Sequence, residues 1–294
     1  MNGVLTVPES RTRAPDFLTL TKPRVNLLVV ASALAGYYMA SGEDVSAVAL
    51  VSALVGTALV SGGAAGLNQI AERDTDALMQ RTRERPMPAG RLRPVEATAF
   101  ALALIAAGLL QLGAGANLVA AGVALCTVIG YALVYTPLKR RTAFAMVLGA
   151  VPGALPPMIG WAAARGSLEP AAWLLFAIQF LWQLPHFLAI AWLYRDDYAR
   201  ARFPMLPVIE PDGRSTARQA VAYAAALVPA SLSPTAVGLS GALYFSGAVV
   251  LGLGFLAIAI WFGLRRSESS ARTLFMASIF YLPLLWILMI VDRV

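Results

Sequence analysis

Long apolar runs alternate with short charged ones along almost the whole chain. Nine runs stand out, at residues 25–42, 47–67, 96–114, 118–136, 143–163, 171–193, 219–237, 241–264 and 273–291. Each comes near the roughly 20 apolar residues that a helix needs to cross a hydrocarbon core. The seventh carries the weakest signal, because Pro229 and Pro234 interrupt it. Membrane helices tolerate proline, since neighbouring groups re-satisfy the freed backbone. The pattern predicts an all-α, polytopic membrane protein with nine transmembrane helices.

Composition agrees with this class. The 294 residues are 59% hydrophobic and only 13% charged, where a soluble domain is about 45–50% apolar and about 25% charged. The lone Cys126 excludes an intrachain disulfide. It falls within an apolar run and reads as a small buried packing residue. Residues 1–24 lack the apolar core and cleavage site of a signal peptide. Glu9 and Asp16 make the same stretch a poor transit peptide. It reads as a cytoplasmic arm, with 15–21 at the interface, ahead of a membrane domain at 25–294. An Ala- and Arg-rich chain without a transit peptide points to a bacterial inner membrane.

Charge orients the spans. The net charge of +7 does not call for nucleic acid, because the basic residues sit in short connections between spans. With the N-terminus inside and the sides alternating, 21 of the 23 Lys and Arg residues fall on the inside; only Arg165 and Arg293 do not. That asymmetry is the positive-inside pattern. One missed or extra span would scramble it. Two inside connections are long, about 28 and 25 residues, and together hold half of the acids. Loops of that length are usually functional or disordered, so the expected active face is cytoplasmic.

The first long loop carries the densest chemistry. Asn68, Glu72 and Asp76 are four residues apart, so on a helix they stack along one face. Acids at a membrane boundary are costly and usually functional. Mg²⁺ takes oxygen ligands and is often held by one or two carboxylates plus substrate phosphates. Asp74 lies off the stripe and either serves a second ion or pairs with Arg73. Arg81, Arg83 and Arg85 follow, with donors suited to phosphate oxygens. A plain salt-bridged loop is the competing reading.

The second long loop repeats the theme. Asp196 and Asp197 end the sixth span, and Tyr198, Arg200 and Arg202 follow. The acids suit a metal and the cations suit phosphate, unless Asp197 only pairs with its neighbours. A third basic group, Lys139 and Arg140 within YTPLKRRT, lies on the same side. The lone histidine, His186, follows Pro185 inside the sixth span. It is either a packing histidine or a ligand or proton donor. Tyr131, Tyr135, Trp182 and Tyr198 are candidates to stabilise a carbocation through their ring faces. A metal and a diphosphate beside an apolar interior suggest chemistry on an isoprenoid.

These segments resemble the UbiA superfamily of intramembrane prenyltransferases, and within it the haem O synthases. The likeness runs from TKPRVNLL at Thr21 to the last span. It rests on NQIAERDTD with RTRERPMPAG, on YTPLKR, on VPGALPPMIGW from Val151 to Trp161, and on WQLPHF followed by DYARARFPMLPV. The resemblance implies a helix bundle around a central cavity, Mg²⁺, and farnesyl diphosphate as donor. Asn68, Glu72, Asp76 and Asp197 then match the metal positions. Arg81, Arg83 and Arg85 match the basic tail of the first motif, and Lys139, Arg140 and Arg202 are the further cations expected at the diphosphate. Tyr198 joins Asp197 in the second motif. His186 matches the family histidine, with a role toward haem B, which would be substrate and not prosthetic group. The implied product is haem O, and haem A synthase or terminal-oxidase assembly is the implied pathway partner. Two departures stand out: Glu72 replaces a more usual Asp, and Ala201 stands four residues after Asp197, where a second acid would hold a second metal. Another aromatic acceptor, or a non-catalytic haem carrier, are the alternatives.

Overall fold

The computed structural model describes residues 13–42 and 45–294; the first half of the expected arm at 1–24 therefore lies outside the described residues, and its second half forms the helix Ala14–Leu20 and the start of the next, Pro23–Ala40. Among those described, the chain is helical and has no strand, with a single bridge joining Ser240 and Arg293. In order the helices are α1 (Ala14–Leu20), α2 (Pro23–Ala40), α3 (Ala47–Ala71), α4 (Arg73–Asp76), α5 (Pro94–Gly115) and α6 (Leu118–Val128). A π-helical segment, Ile129–Tyr135, leads into α7 (Thr136–Leu138). Then come α8 (Ala145–Gly153), α9 (Pro156–Arg165), α10 (Pro170–Leu193), α11 (Arg195–Arg200), α12 (Leu206–Ile209), α13 (Arg214–Ala236), α14 (Ala242–Arg265) and α15 (Glu268–Val291).

Local chemistry sets the boundaries. Pro23, Pro94 and Pro170 open α2, α5 and α10 at positions where the missing N–H is no loss. Ser46 and Asn117 accept backbone N–H groups at the starts of α3 and α6, and Ser267 with Ser270 forms a capping box on α15. Gly166, at φ 73°, closes α9 in the left-handed conformation that glycine adopts without penalty.

Seven helices are long and apolar enough to cross a membrane, and α1 with α2, bent by 49°, makes an eighth if counted together. The expected seventh span does form a helix, α13, but it is not among them. Its polar side chains are used inside the bundle. Ser231 Oγ lies 2.8 Å from the Tyr281 hydroxyl, and Tyr244 donates to the Ser231 carbonyl at 2.7 Å. The hydropathy that marks a lipid-facing span is lower here for that reason.

Helix contacts follow membrane rules, in which small residues let backbones approach. A Cβ on Gly160 would meet the Ala33 carbonyl oxygen at 1.8 Å, and one on Gly63 the Ala101 carbonyl at 2.6 Å. These glycines set the α2–α9 and α3–α5 crossings. The outer surface is Leu- and Val-rich, with Leu110, Leu133, Val250 and Leu264 exposed. Cys126 corrects its reading as a buried packing residue: it is exposed on this outer surface. Lipid tails are as apolar as a helix interface, so an apolar run does not distinguish the two.

Candidate functional site

The acid stack forms at the end of α3. That helix stops at Ala71, yet Glu72 N–H bonds to the Asn68 carbonyl at 2.9 Å and Asp76 N–H to the Glu72 carbonyl at 2.7 Å. Helical spacing thus continues through the junction into α4. Asn68, Glu72 and Asp76 share one stripe, and all three are buried, Asp76 completely. Asp74 is exposed and pairs with Arg73 at 2.9 Å, one of the two roles open to it.

Buried carboxylates require partners. Lys139 places Nζ 3.1 and 3.2 Å from the two Glu72 oxygens. Arg85 Nη1 donates to Asp76 Oδ2 at 2.7 Å. Lys22 Nζ donates to Asn68 Oδ1 at 3.1 Å. Burial, and then the nearby Arg85, push the Lys22 ammonium down to about 8. For Lys139 burial acts in the same direction, but Tyr135, Glu72 and Tyr198 outweigh it and hold the group above the ordinary lysine range. Lys139 also faces the Phe203 ring, 4.6 Å from its centroid, and the Tyr198 ring at 5.9 Å.

Asp197 and Tyr198 meet the first loop from α11. Asp197 Oδ1 accepts from the Gln80 N–H at 3.1 Å and Oδ2 from the Arg81 N–H at 3.3 Å. Arg200 also pairs with Asp197. The two loops, 116 residues apart in sequence at this contact, are joined by one carboxylate. Met79 packs with Tyr198, Ala201 and Phe203 in a small core beneath it.

The six expected phosphate cations divide. Arg85 and Lys139 reach the buried acids. Arg81 lies over the Tyr194 ring at 4.8 Å. Arg140 donates to the Ala71 carbonyl, at the end of α3, at 2.7 Å. Arg83 is exposed beside Glu84. Arg202 is exposed, with φ 56°. Lys22 was missed as a site residue. Its signal was available: a lysine followed by Pro23 immediately before the first span.

Hard oxygen donors are present for a cation, but not as a closed cage. Among the described residues no group of three or more His, Cys, Asp or Glu side chains gathers at metal-binding range. Asp76 Oδ1 is buried and has no hydrogen-bond partner among them. That orphaned oxygen, with Glu72 and Asn68 Oδ1 along the same stripe, fits Mg²⁺ shared with substrate phosphates, which needs few protein ligands.

His186 belongs to a separate cluster within the bundle. Its Nδ1 lies 2.7 Å from Ser278 Oγ, and its ring stacks between Trp182 and Phe275, at 5.4 and 5.1 Å. His186 lies within α10, whereas Asp197 lies in α11, beyond the break at Tyr194. The structure therefore separates a charged end from an aromatic interior.

The model of the UbiA prenyltransferase family matches residues 29–284. The protohaem IX farnesyltransferase of Solibacter usitatus is 46% identical over 95% of this chain and 98% of its own. That of Koribacter versatilis is 44% identical over 95% and 93%, and that of Myxococcus xanthus 43% over 96% of each. Among solved structures, a digeranylgeranylglyceryl phosphate synthase superposes with a TM-score of 0.80 at 15% identity, covering 95% of this chain and 98% of that one. A UbiA homologue from Archaeoglobus fulgidus, bound to DMAPP and Mg²⁺, gives 0.68 at 16% identity, covering 94% and 99%.

Proposed function

The chain belongs to the UbiA prenyltransferase family, and from that premise we propose that it farnesylates a vinyl group of haem B, with addition of water, to give haem O and diphosphate. The acceptor follows the relatives, which are 43–46% identical over nearly the whole chain and named protohaem IX farnesyltransferase. The observation that carries the donor half is the buried Asn68–Glu72–Asp76 stripe, with Lys22, Lys139 and Arg85 on its polar atoms.

Asn68, Glu72 and Asp76 would hold Mg²⁺. The bound ion supplies charge neutralisation at the diphosphate. Asp197 fastens the backbone of the first loop, and its remaining lone pairs leave it able to join the metal. Lys139 and Arg85 turn from their carboxylates to the departing phosphate oxygens, and Arg81, Arg83, Arg140 and Arg202 line the approach. The C1–O bond of the donor breaks, and its electron pair leaves with diphosphate. The vinyl terminal carbon bonds to C1. The cation left beside the porphyrin ring takes up water and loses a proton. Tyr131, Tyr135, Trp182 and Tyr198 would present ring faces to developing positive charge, and the apolar interior of the bundle would keep water from the allylic cation until the acceptor has reacted. His186 places the haem.

The proposed setting is a nine-span domain at 25–294, preceded by an arm at 1–24, in a bacterial inner membrane. Its N-terminus and acid loops face the cytoplasm. The charge asymmetry supports this orientation, and α13 supplies the ninth span. Haem A synthase is the proposed pathway partner. The test incubates membranes with labelled farnesyl diphosphate and either haem B or hydroxybenzoate. Label entering haem alone is expected. Label entering hydroxybenzoate would move the chain to another branch of the family, and haem movement without diphosphate release would make it a carrier.

A further inference from the structure

At the same end of the bundle as the acid stack, a groove of about 520 Å³ runs between α13 and α14. It uses none of the residues assigned above. Arg214, Arg218 and Arg266 line its mouth, and Gly263, Ile260 and Leu264 continue it along the helices. We propose that this groove binds an anionic phospholipid, with the phosphate among the arginines and an acyl chain along α14.

The arginines have little else to do. Arg266 makes no side-chain hydrogen bond or ion pair among the described residues, and Arg218 reaches only Ser215 Oγ at 3.4 Å. Arg214 pairs with Asp212 at 3.2 Å on an exposed surface, a contact worth little. Helix C-termini favour cations, and that accounts for a basic residue near the end of α14. It does not account for Arg266 at φ 45°, in the left-handed position that glycine usually fills.

The groove also has the right order of polarity. Below the arginines, Ile260 and Leu264 are 43% and 75% exposed, so the lower part opens to the hydrocarbon. Gly263 leaves the upper part without a side chain: a Cβ there would touch Val221 Cγ2 at 3.4 Å and Ala217 Cβ at 3.8 Å, inside the groove. A phosphate above an apolar chain is what this surface complements, and basic pockets between transmembrane helices are known to take such head groups. A prenyl diphosphate undergoing ionisation needs enclosure and a metal, and no acid lines this groove. The open lipid-facing side selects a bilayer lipid as occupant.

Native mass spectrometry of the full chain in detergent tests this, with phosphatidylglycerol and phosphatidylcholine of identical acyl chains. Phosphatidylglycerol should half-saturate the protein at a roughly tenfold lower concentration. Arg218→Gln with Arg266→Gln should remove that preference. Arg272→Gln, which changes charge on the same face at a residue paired with Glu268, should keep it. Far-UV circular dichroism checks that each variant remains helical; should the double variant unfold, Gly263→Leu, which fills the groove without changing charge, replaces it. Equal retention of both lipids, or unchanged preference in the folded variant, would overturn the proposal. So would full displacement of phosphatidylglycerol by millimolar inorganic phosphate, which would mark a site for a free anion.

Discussion

Thr136 sets the direction of the Asn68 amide. The Thr136 hydroxyl donates its one proton to the Tyr131 carbonyl at 2.8 Å, a carbonyl in the π-helical segment. The same oxygen can therefore only accept, and it does so from Asn68 Nδ2 at 3.2 Å. Asn68 Oδ1 is left facing Lys22, on the side of the acids. A local irregularity between α6 and α7 thus orients the Asn68 side chain at the end of α3.

Thr136→Val removes both contacts, and Thr136→Ser keeps them. Losing a buried hydrogen bond costs about 1–2 kcal/mol. Under the proposed function, Val should raise the Mg²⁺ concentration for half-maximal turnover by roughly tenfold, with Ser near wild type. If Ser fails as badly as Val, or if Val leaves Mg²⁺ dependence unchanged, Thr136 does not act through Asn68.

The Arg85–Asp76 pair is buried on the acid side, where Asp76 is fully enclosed. Asp76→Ala leaves the guanidinium without its partner; the loss falls below the about 3–5 kcal/mol of a fully buried pair, because the Arg85 side chain is 24% exposed. The variant should insert in the membrane, lose farnesyl transfer and unfold at lower temperature. Adding Arg85→Ala should recover most of the stability and none of the activity. Full conversion by Asp76→Ala in Mg²⁺ would remove Asp76 from the metal site.

Much of this site was readable beforehand because four-residue spacing is a statement about one helix face. Asn68, Glu72 and Asp76 needed no knowledge of any other segment. The partners did need it: Lys22 meets Asn68 across 46 positions and Lys139 meets Glu72 across 67. Such contacts depend on helix packing, and a membrane sequence encodes packing weakly. The core and the lipid are both apolar, which is why Cys126 read as buried. The seventh apolar run illustrates the converse, since Ser231 lowers its hydropathy while serving the interior.

Chelation offers a test that leaves the chain unaltered. With Asp76 Oδ1 unpartnered among the described residues and Glu72 one turn away, the proposed function expects that removing divalent cations with EDTA lowers turnover by about 100-fold or more. Mg²⁺ should restore it. Turnover that survives exhaustive chelation would leave the diphosphate to Lys22, Lys139 and Arg85 alone.

The same hydrogen-bond logic assigns the tautomer of His186. Ser278 Oγ donates to the Phe275 carbonyl at 2.5 Å, so toward His186 Nδ1, at 2.7 Å, it must accept. Nδ1 then carries the proton, and the lone pair is on Nε2. A histidine that ligates metal commonly donates its other nitrogen in this way, so under the proposed function Nε2 is the atom that would meet the iron of haem B. Purified protein should bind haem with the visible spectrum of an imidazole-ligated iron. His186→Ala should lose that signature, and added imidazole should restore it. Ser278→Ala should weaken haem affinity by about 10-fold or more, the range seen when such outer contacts are removed. If His186→Ala binds haem with an unchanged spectrum, the histidine only packs between Trp182 and Phe275, and the acceptor is placed by other groups.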